Sequence, residues 1–506
     1  MPLSPRMSGL ARLTGSAVAG LAAAAAFPPW GQIWLLPFGL AGLMVTVRGC
    51  RGRGGFAQGL AFGLGFMLPL TSWLTVIGAD AWLAVGLLEA LFYGLMAMTW
   101  AWLRISAYWP IGIACTWVGA ELLRATVPFG GLPWGRLAFG LVDTPLVHYG
   151  RIGGTALVAL VSVLSVALVV AVIERRQLDL RAGAMLLSGV GALGVSLLLP
   201  ARAADPGQAI TVATVQGNVP GEGMNAFAER RAVLRNHAQA TRAFSRDVAE
   251  SSRPAPDIVI WPENSTDIDP FVDSAAYAQI DRAVQAIGVP TLVGAVVAGP
   301  DATQVQNMGI VWTPGSGPGE RYVKRHPVPF GEYIPFRGIL TRYISRLEQI
   351  PRDFARGTFD NVLDMAGTRV GDVICFEVAY DGLIRDAVND GGELLVVQTN
   401  NATYTGTGQL QQQFAISRYR AIETGRTVVV SATNGISGII SPDGEVMDIT
   451  AEKTRDVLVE EVTLASGVTA GVRIGKWLEL ALSMAGLALA AHAYLGRRRE
   501  VGTMAT

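Results

Sequence analysis

Charge is scarce in this sequence. Only 16% of its 506 residues are Asp, Glu, Lys or Arg, where soluble chains carry about a quarter. That deficit argues against an ordinary water-soluble protein and points to a membrane. The charge that exists is balanced, 40 basic against 40 acidic residues, so nothing suggests nucleic-acid binding. Lysine is nearly absent: Lys324, Lys453 and Lys476 stand alone among arginines. Histidine is rare and scattered (His148, His237, His326 and His492), which argues against a histidine-rich metal site. The cysteines are Cys50, Cys115 and Cys375, and their spacing suggests neither a zinc site nor a disulfide framework. No metal and no cofactor is expected.

Apolar residues make up 51% of the chain. A bilayer-spanning helix needs about 20 of them in a row. Seven such runs precede residue 200, near 9–27, 31–47, 57–77, 81–103, 106–123, 154–173 and 182–200, and an eighth lies near 474–495. Residues 205–470 have ordinary soluble composition. The predicted organisation is therefore a membrane bundle of about seven helices over 1–204, a globular domain over 205–470, and a last span with a tail over 471–506. Arginines set the orientation. Arg6 and Arg12, Arg48, Arg51 and Arg53, Arg104, Arg175, Arg176 and Arg181, and Arg497, Arg498 and Arg499 all fall on one side if every run crosses. The short loops opposite carry only Arg124, Arg136 and Arg151. The arginine-rich side is read as cytoplasmic, which places 205–470 outside and both termini inside. Residues 1–26 also have the look of a signal peptide; they are expected to be retained as the first span.

Within the soluble part, Ile210–Gln216, Asp257–Trp261, Thr291–Val297, Met308–Trp312, Arg369–Phe376, Leu394–Gln398 and Thr427–Ser431 read as buried strands. Stretches 272–287, 380–390 and 409–424 read as helices, and Ser441-Pro442-Asp443-Gly444 as a turn between strands. The expected class is an α/β domain. Three segments carry reactive groups near strand ends, where α/β proteins commonly place their sites. They are Trp261-Pro262-Glu263-Asn264, Tyr322-Val323-Lys324 with Pro329-Phe330-Gly331-Glu332 downstream, and Val373-Ile374-Cys375-Phe376-Glu377. A thiol is mostly protonated at neutral pH and needs a base and a positive field. Glu263 can take the proton, and Lys324 can favour the thiolate and later face an oxyanion. Each residue also has a bland reading: Cys375 as small core filler, Glu263 as a turn cap, Lys324 as a solvated surface charge. Spacing alone does not choose between them.

The order Glu, Lys, Cys resembles the nitrilase, or carbon–nitrogen hydrolase, superfamily. Trp261-Pro262-Glu263-Asn264, Lys324 ahead of Pro329-Phe330-Gly331-Glu332, and Gly371-Asp372-Val373-Ile374-Cys375-Phe376-Glu377 resemble its apolipoprotein N-acyltransferase branch. So do Val215-Gln216-Gly217-Asn218-Val219-Pro220, Thr399-Asn400-Asn401-Ala402, Arg420-Ala421-Ile422-Glu423 and Thr433-Asn434-Gly435. In the membrane half Phe27-Pro28-Pro29-Trp30 and Gly131-Leu132-Pro133-Trp134-Gly135 agree. Departures are Asn401, where Asp is common, Phe376, where many members have Tyr, and a loop 221–227 without the Trp seen in some members.

The resemblance implies an eight-helix membrane bundle carrying an αββα nitrilase-like sandwich in a bacterial plasma membrane. It implies Glu263 as general base, Lys324 as oxyanion partner and Cys375 as nucleophile, with Glu332 and Glu377 in support. It further implies an acyl chain taken from a membrane phospholipid as a Cys375 thioester, then passed to the diacylglyceryl-cysteine at a lipoprotein N-terminus. An amidase or nitrile hydrolase using the same three residues is the nearest alternative, and a non-enzymatic receptor or transporter the alternative of another class. A transporter would carry more charge within its spans than Glu89 and Glu121, with Asp80 at an edge. Finally, Leu340, Tyr343, Ile344 and Leu347 fall at helical spacing and predict an amphipathic helix, flanked by Gly338 and Gly357, that could act as a lipid lid.

Overall fold

The computed structural model describes residues 9–175, 180–199, 204–219, 230–349 and 351–503. The loop 221–227 lies outside them. The chain divides into two compact units, Met1–Pro200 with Ala470–Thr506, and Ala201–Thr469.

The first unit is helical. Among the described residues, Ala79–Leu103, Pro145–Arg175 and Ala470–Arg497 are long and apolar enough to cross a membrane. Gly9–Ala25, Ile33–Val47 and Gly183–Leu198 are apolar but shorter. The run expected at 57–77 is displaced: its helix is Gly52–Leu70, and Ser72–Val76 is a 3-10 turn. The break follows Pro69, where the Thr71 hydroxyl donates to the Met67 carbonyl at 2.7 Å and so satisfies an acceptor at the helix end. The run expected at 106–123 forms Trp109–Arg124.

Close backbone approach holds these helices together. Gly55, Gly59 and Gly63 recur every fourth residue on Gly52–Leu70. A Cβ on them would lie 2.6 Å from the Ala97 carbonyl oxygen, 2.2 Å from that of Tyr93 and 2.6 Å from Ala90 Cα. Only glycine fits there, as expected where helices pack without help from water. The buried charges are paired. Arg124 donates to Glu89 at 2.5 Å and to the Trp134 carbonyl at 2.7 Å. Arg136 donates to Glu479 at 2.7 Å and to Thr155 at 2.6 Å. Glu121 accepts from the Trp117 indole and the Leu137 N–H, both at 2.9 Å. These buried acids thus have partners within the unit, and Glu479 joins the two read from sequence.

The arginine-bearing segments meet at one end of this unit. Arg12 donates to the Arg48 carbonyl at 3.1 Å, and Glu174 receives Arg104 at 2.5 Å and Arg48 at 3.5 Å. Trp102 packs against Tyr494 at a tilt, with centroids 4.9 Å apart. At the other end His148 meets the Ser196 carbonyl at 3.2 Å, and a Cβ on Gly471 would touch the Gly150 carbonyl.

In the second unit the described residues form thirteen strands: β1 Pro206–Gln216, β2 Ile258–Ile260, β3 Thr291–Ala298, β4 Gln304–Thr313, β5 Gly317–Val323, β6 Asp353–Phe354, β7 Val362–Met365, β8 Thr368–Ile374, β9 Leu394–Thr399, β10 Val428–Ala432, β11 Gly438–Ile440, β12 Val446–Ile449 and β13 Asp456–Ala465. One sheet runs β13-β1-β2-β3-β4-β5 with β6 on β4, the other β12-β11-β10-β9-β8-β7. Each has a parallel centre, β1-β2-β3 and β8-β9-β10, and antiparallel flanks. Helices Arg230–Ala249 and Ser274–Ile287 cover the first sheet through Leu234, Ala238, Phe244, Ile280 and Val284 against Val259, Trp261, Val293 and Trp312. Asp273 caps the second of these helices, accepting from the N–H groups of Ala275 and Ala276 at 2.9 Å. Asp381–Asn389 and Gln409–Thr424 pack on β8 and β10 of the other sheet. The sheets face each other: Gln398 on β9 donates to the Trp261 carbonyl just beyond β2 at 2.5 Å. The result is a helix–sheet–sheet–helix sandwich.

The amphipathic helix expected over 340–347 does not form. Its place holds a four-residue helix, Arg337–Leu340, a turn, and the 3-10 segment Ser345–Gln349. The Thr341 hydroxyl donates to the Arg337 carbonyl at 2.7 Å, and Arg337 is anchored to Asp353. The four apolar residues then part: Leu347 is buried while Tyr343 is 82% exposed.

Candidate active site

Strand ends deliver the reactive groups, two from the parallel centres of the sheets and one from the antiparallel flank. Glu263 follows β2, Lys324 follows β5 and Cys375 follows β8. All three are at least nine-tenths buried. Lys324 Nζ lies 3.0 Å from Glu263 Oε1 and 2.8 Å from Glu332 Oε1. Glu263 also accepts from Asn307 Nδ2 at 2.7 Å and from the Asn400 backbone N–H at 2.8 Å. Glu332 accepts from the Val328 N–H at 2.7 Å. A Cβ on Gly294 would sit 2.1 Å from the Pro262 carbonyl, so the bare backbone of β3 lets the Glu263 loop lie flat against it.

Cys375 sits in the left-handed region at φ 58, between the end of β8 and the 3-10 segment Cys375–Ala379. That conformation costs a non-glycine residue on the order of 1–2 kcal/mol, and its neighbours impose it. Glu377 accepts from the Ile374 N–H at 2.8 Å, from the Arg325 and His326 N–H groups at 2.7 and 2.9 Å, and from the Tyr322 hydroxyl at 3.0 Å. It thereby ties the cysteine turn to the lysine loop. On the far side Arg420 donates to the carbonyls of Val378 and Ala379 at 2.8 and 2.9 Å, and is held by Glu423 at 2.6 Å and Asp381 at 2.7 Å.

Electrostatics set the resting protonation. Burial pushes the Cys375 thiol up to about 12; Glu263 adds to the shift, while Lys324 and a hydrogen bond from Thr399 oppose it. The resting sulfur is therefore a thiol at neutral pH, and it reacts only if a base removes its proton. Burial disfavours the charge on Lys324, but Glu263 and Glu332 outweigh it and hold the ammonium well above the usual lysine range. Burial raises Glu377, against Lys324 and the donated N–H bonds.

The five residues chosen from sequence converge here. Sequence reading missed Asn307, which bridges Glu263 and Glu332 (3.3 Å to the latter). It also missed Tyr322 as a partner of Glu377, and Thr399, whose hydroxyl is 3.4 Å from Cys375 Sγ. Asn307 gave little signal, since it stands beside Gln304 and Gln306 ahead of the apolar run Met308–Trp312. Thr399 had none beyond its motif.

A buried Glu–Lys–Cys set between two facing sheets defines a carbon–nitrogen hydrolase type of domain. Residues 211–470 match the family Carbon-nitrogen hydrolase, and residues 19–168 match the Apolipoprotein N-acyltransferase N-terminal domain. The apolipoprotein N-acyltransferase of Mycolicibacterium smegmatis is 38% identical over 95% of this chain and 84% of its own length. That of Azotobacter vinelandii is 30% identical over 94% and 95%. Among solved structures, an amidase from Nesterenkonia sp. aligns at 16% identity and a TM-score of 0.36 over 52% of this chain and 92% of its own. The chain belongs to the apolipoprotein N-acyltransferase family.

Proposed function

We propose that this protein acylates the N-terminal diacylglyceryl-cysteine of lipoproteins with a chain drawn from a membrane phospholipid, through a thioester on Cys375. In the first half-reaction the Cys375 proton passes to Glu263 and the sulfur attacks the ester carbonyl carbon. The oxyanion of the tetrahedral intermediate faces the Lys324 ammonium. The intermediate collapses, Glu263 returns the proton to the departing alkoxide, and a lysophospholipid leaves. In the second, the α-amino nitrogen attacks the thioester carbonyl, Glu263 takes the amine proton, and Cys375 leaves as thiolate to be reprotonated. An amide has formed and the enzyme is restored. Glu332 and Asn307 hold Lys324 and Glu263 in register, and Glu377 holds the cysteine turn.

The single observation that carries this reading is the buried ammonium shared between two carboxylates, acting on a thiol that burial keeps protonated. Lipid access is supported by the segment between Glu332 and Cys375, where Phe336, Ile339 and Tyr343 are exposed. The catalytic unit is placed on the outer face of a bacterial plasma membrane and both termini inside. The support is the arginine cluster at one end of the helical unit, with the chain leaving and re-entering near Ser196 and Gly471 at the other.

Mass spectrometry of the purified protein after incubation with phospholipid should find one fatty acyl adduct, on Cys375, absent from Cys375→Ala. Adding a diacylated lipopeptide should discharge it to the peptide amine. Release of free fatty acid with no transfer to the amine would instead favour the hydrolase reading.

A further inference from the structure

Thr399 ends β9 with its hydroxyl 3.4 Å from Cys375 Sγ and 2.8 Å from Asn401 Oδ1. A hydroxyl has one proton and can serve only one of these acceptors at a time. The surrounding amides are fixed by their own bonds. Asn401 Nδ2 donates to Gln409 Oε1 at 2.7 Å and to Gln413 Oε1 at 2.8 Å, so its oxygen must face Thr399. Gln409 Nε2 also donates to Gln413 Oε1, at 2.7 Å, so Gln413 turns its Nε2 to Thr399 Oγ1, at 3.0 Å. The Thr399 oxygen is thus supplied with a donor, and its own proton is free to choose. Thr399, Asn401, Gln409 and Gln413 are all buried, and none of them can ionise.

We propose that Thr399 is a catalytic residue: a hydroxyl rotor that rests on Asn401 while Cys375 is a thiol and turns to donate to the sulfur once it is a thiolate. The argument rests on Cys375 being the nucleophile, as proposed above. A neutral thiol is a weak acceptor, so the shorter bond to the amide oxygen wins at rest. A thiolate makes a charge-assisted bond, roughly twice as strong as a neutral one, and reverses the preference. The cysteine proton itself goes to Glu263; Thr399 keeps its own. The charges bearing on the sulfur are otherwise Glu263 and Glu332, which oppose its ionisation, and Lys324, which favours it. Glu377 acts on Lys324, and the Tyr404 phenol also faces the thiol, its own ionisation suppressed by burial. With carboxylates outnumbering the single ammonium, a neutral donor at the sulfur favours the thiolate without adding charge.

The test is the rate of Cys375 alkylation by iodoacetamide, read at that cysteine by mass spectrometry on the full chain in detergent, across neutral to alkaline pH. Thr399→Val should slow alkylation at neutral pH by about tenfold or more, the loss expected for a hydrogen bond to a charged group, and displace the profile to higher pH. Thr399→Ser, which keeps the rotor, should restore the wild-type profile. Thr399→Ala replaces the valine variant if that protein does not fold, with the same slowing expected. A valine or alanine protein that alkylates at the wild-type rate overturns the proposal, and so does a serine protein as slow as the valine one. Cys375→Ala separates the two readings. Acyl transfer surviving in it removes Cys375 as nucleophile. An inactive Cys375→Ala beside a fast Thr399→Val removes only the Thr399 role.

Discussion

Lys324 holds two carboxylates, at 3.0 and 2.8 Å, while 98% of its surface is covered (2% exposed). Such a position suits a compact ammonium, whose three donors can be aimed independently. A guanidinium is planar and wider, and its fork would engage one carboxylate bidentately while pushing the charge away from the thiol. Lys324→Arg should therefore lower acyl transfer about 10²-fold or more while the protein stays folded. Initial rates at saturating phospholipid measure it, and near-wild-type turnover would show that charge alone suffices. The lysine stood out in a chain that otherwise uses arginine. Its two carboxylate partners were named from sequence, but the amide of Asn307 that spaces them was not.

At the scale of elements, the two sheets meet through an unusual polar contact. A Cβ on Gly309 of β4 would lie 2.3 Å from Asp372 Oδ2 and 2.6 Å from Gln398 Oε1. Asp372 is on β8, three residues before Cys375, and Gln398 is on β9. Gln398 spends its Nε2 on the Trp261 carbonyl, and neither its oxygen nor either Asp372 carboxyl oxygen has a hydrogen-bond partner among the described residues. A carboxylate buried without a donor is costly, and that cost favours the neutral acid at Asp372. Burial, with Glu377 and Glu263 nearby, drives Asp372 well above the usual aspartate range. The sign for stability follows. The folded chain keeps a proton that the unfolded chain gives up above about pH 4. The stability tied to that proton is complete below this value and is lost as pH rises toward the folded one. Asn has nearly the same shape and cannot ionise. Asp372→Asn should therefore gain on wild type by about 1.4 kcal/mol per pH unit through this window. Thermal unfolding of both proteins in detergent at a series of pH values tests this; a constant gap would mean that Asp372 is charged in the folded state.

Elements also show where periodicity misleads. Leu340, Tyr343, Ile344 and Leu347 have the spacing of one helix face, yet the segment is two short turns. A single amphipathic helix of that length gains little from local hydrogen bonds and depends on a partner surface. Here the Arg337–Asp353 contact and the burial of Leu347 favour the broken path. The strand assignments survived because each core strand is buried, β-branched and bounded by turn residues. The edge strands β5, β6, β7 and β13 were missed, as was helix Arg230–Ala249; edge strands are more polar and lack that continuous apolar pattern.

At the scale of the whole molecule the proposed orientation rests on the arginines. Arg12, Arg48, Arg104 and Glu174 join at one end of the helical unit. Arg124 and Arg136, which a loop count would set against them, are instead buried partners of Glu89 and Glu479, so they take little part in orienting the chain. A reporter active only outside the cytoplasm should work when fused near Gly207 and be silent after Gly496; the reverse pattern would overturn the proposed orientation.

The sequence by itself determined the division into an apolar half and a soluble half, because composition follows solvent. It also determined the central strands, because period and β-branching reflect burial on a sheet, and it singled out Glu263, Lys324 and Cys375 near strand ends, with Glu332 and Glu377 added by the family resemblance. Tertiary structure alone decided which acid meets which base. Asn307 reaches Glu263 across 44 positions, and Gln398 reaches Trp261 across 137, because neighbouring strands in a sheet and facing sheets in a sandwich join distant segments. The same holds for the backbone of Cys375. Its left-handed turn is fixed by the bonds that Glu377 makes to the lysine loop and Arg420 makes to the Val378 and Ala379 carbonyls, because the Cβ of a cysteine by itself disfavours that conformation.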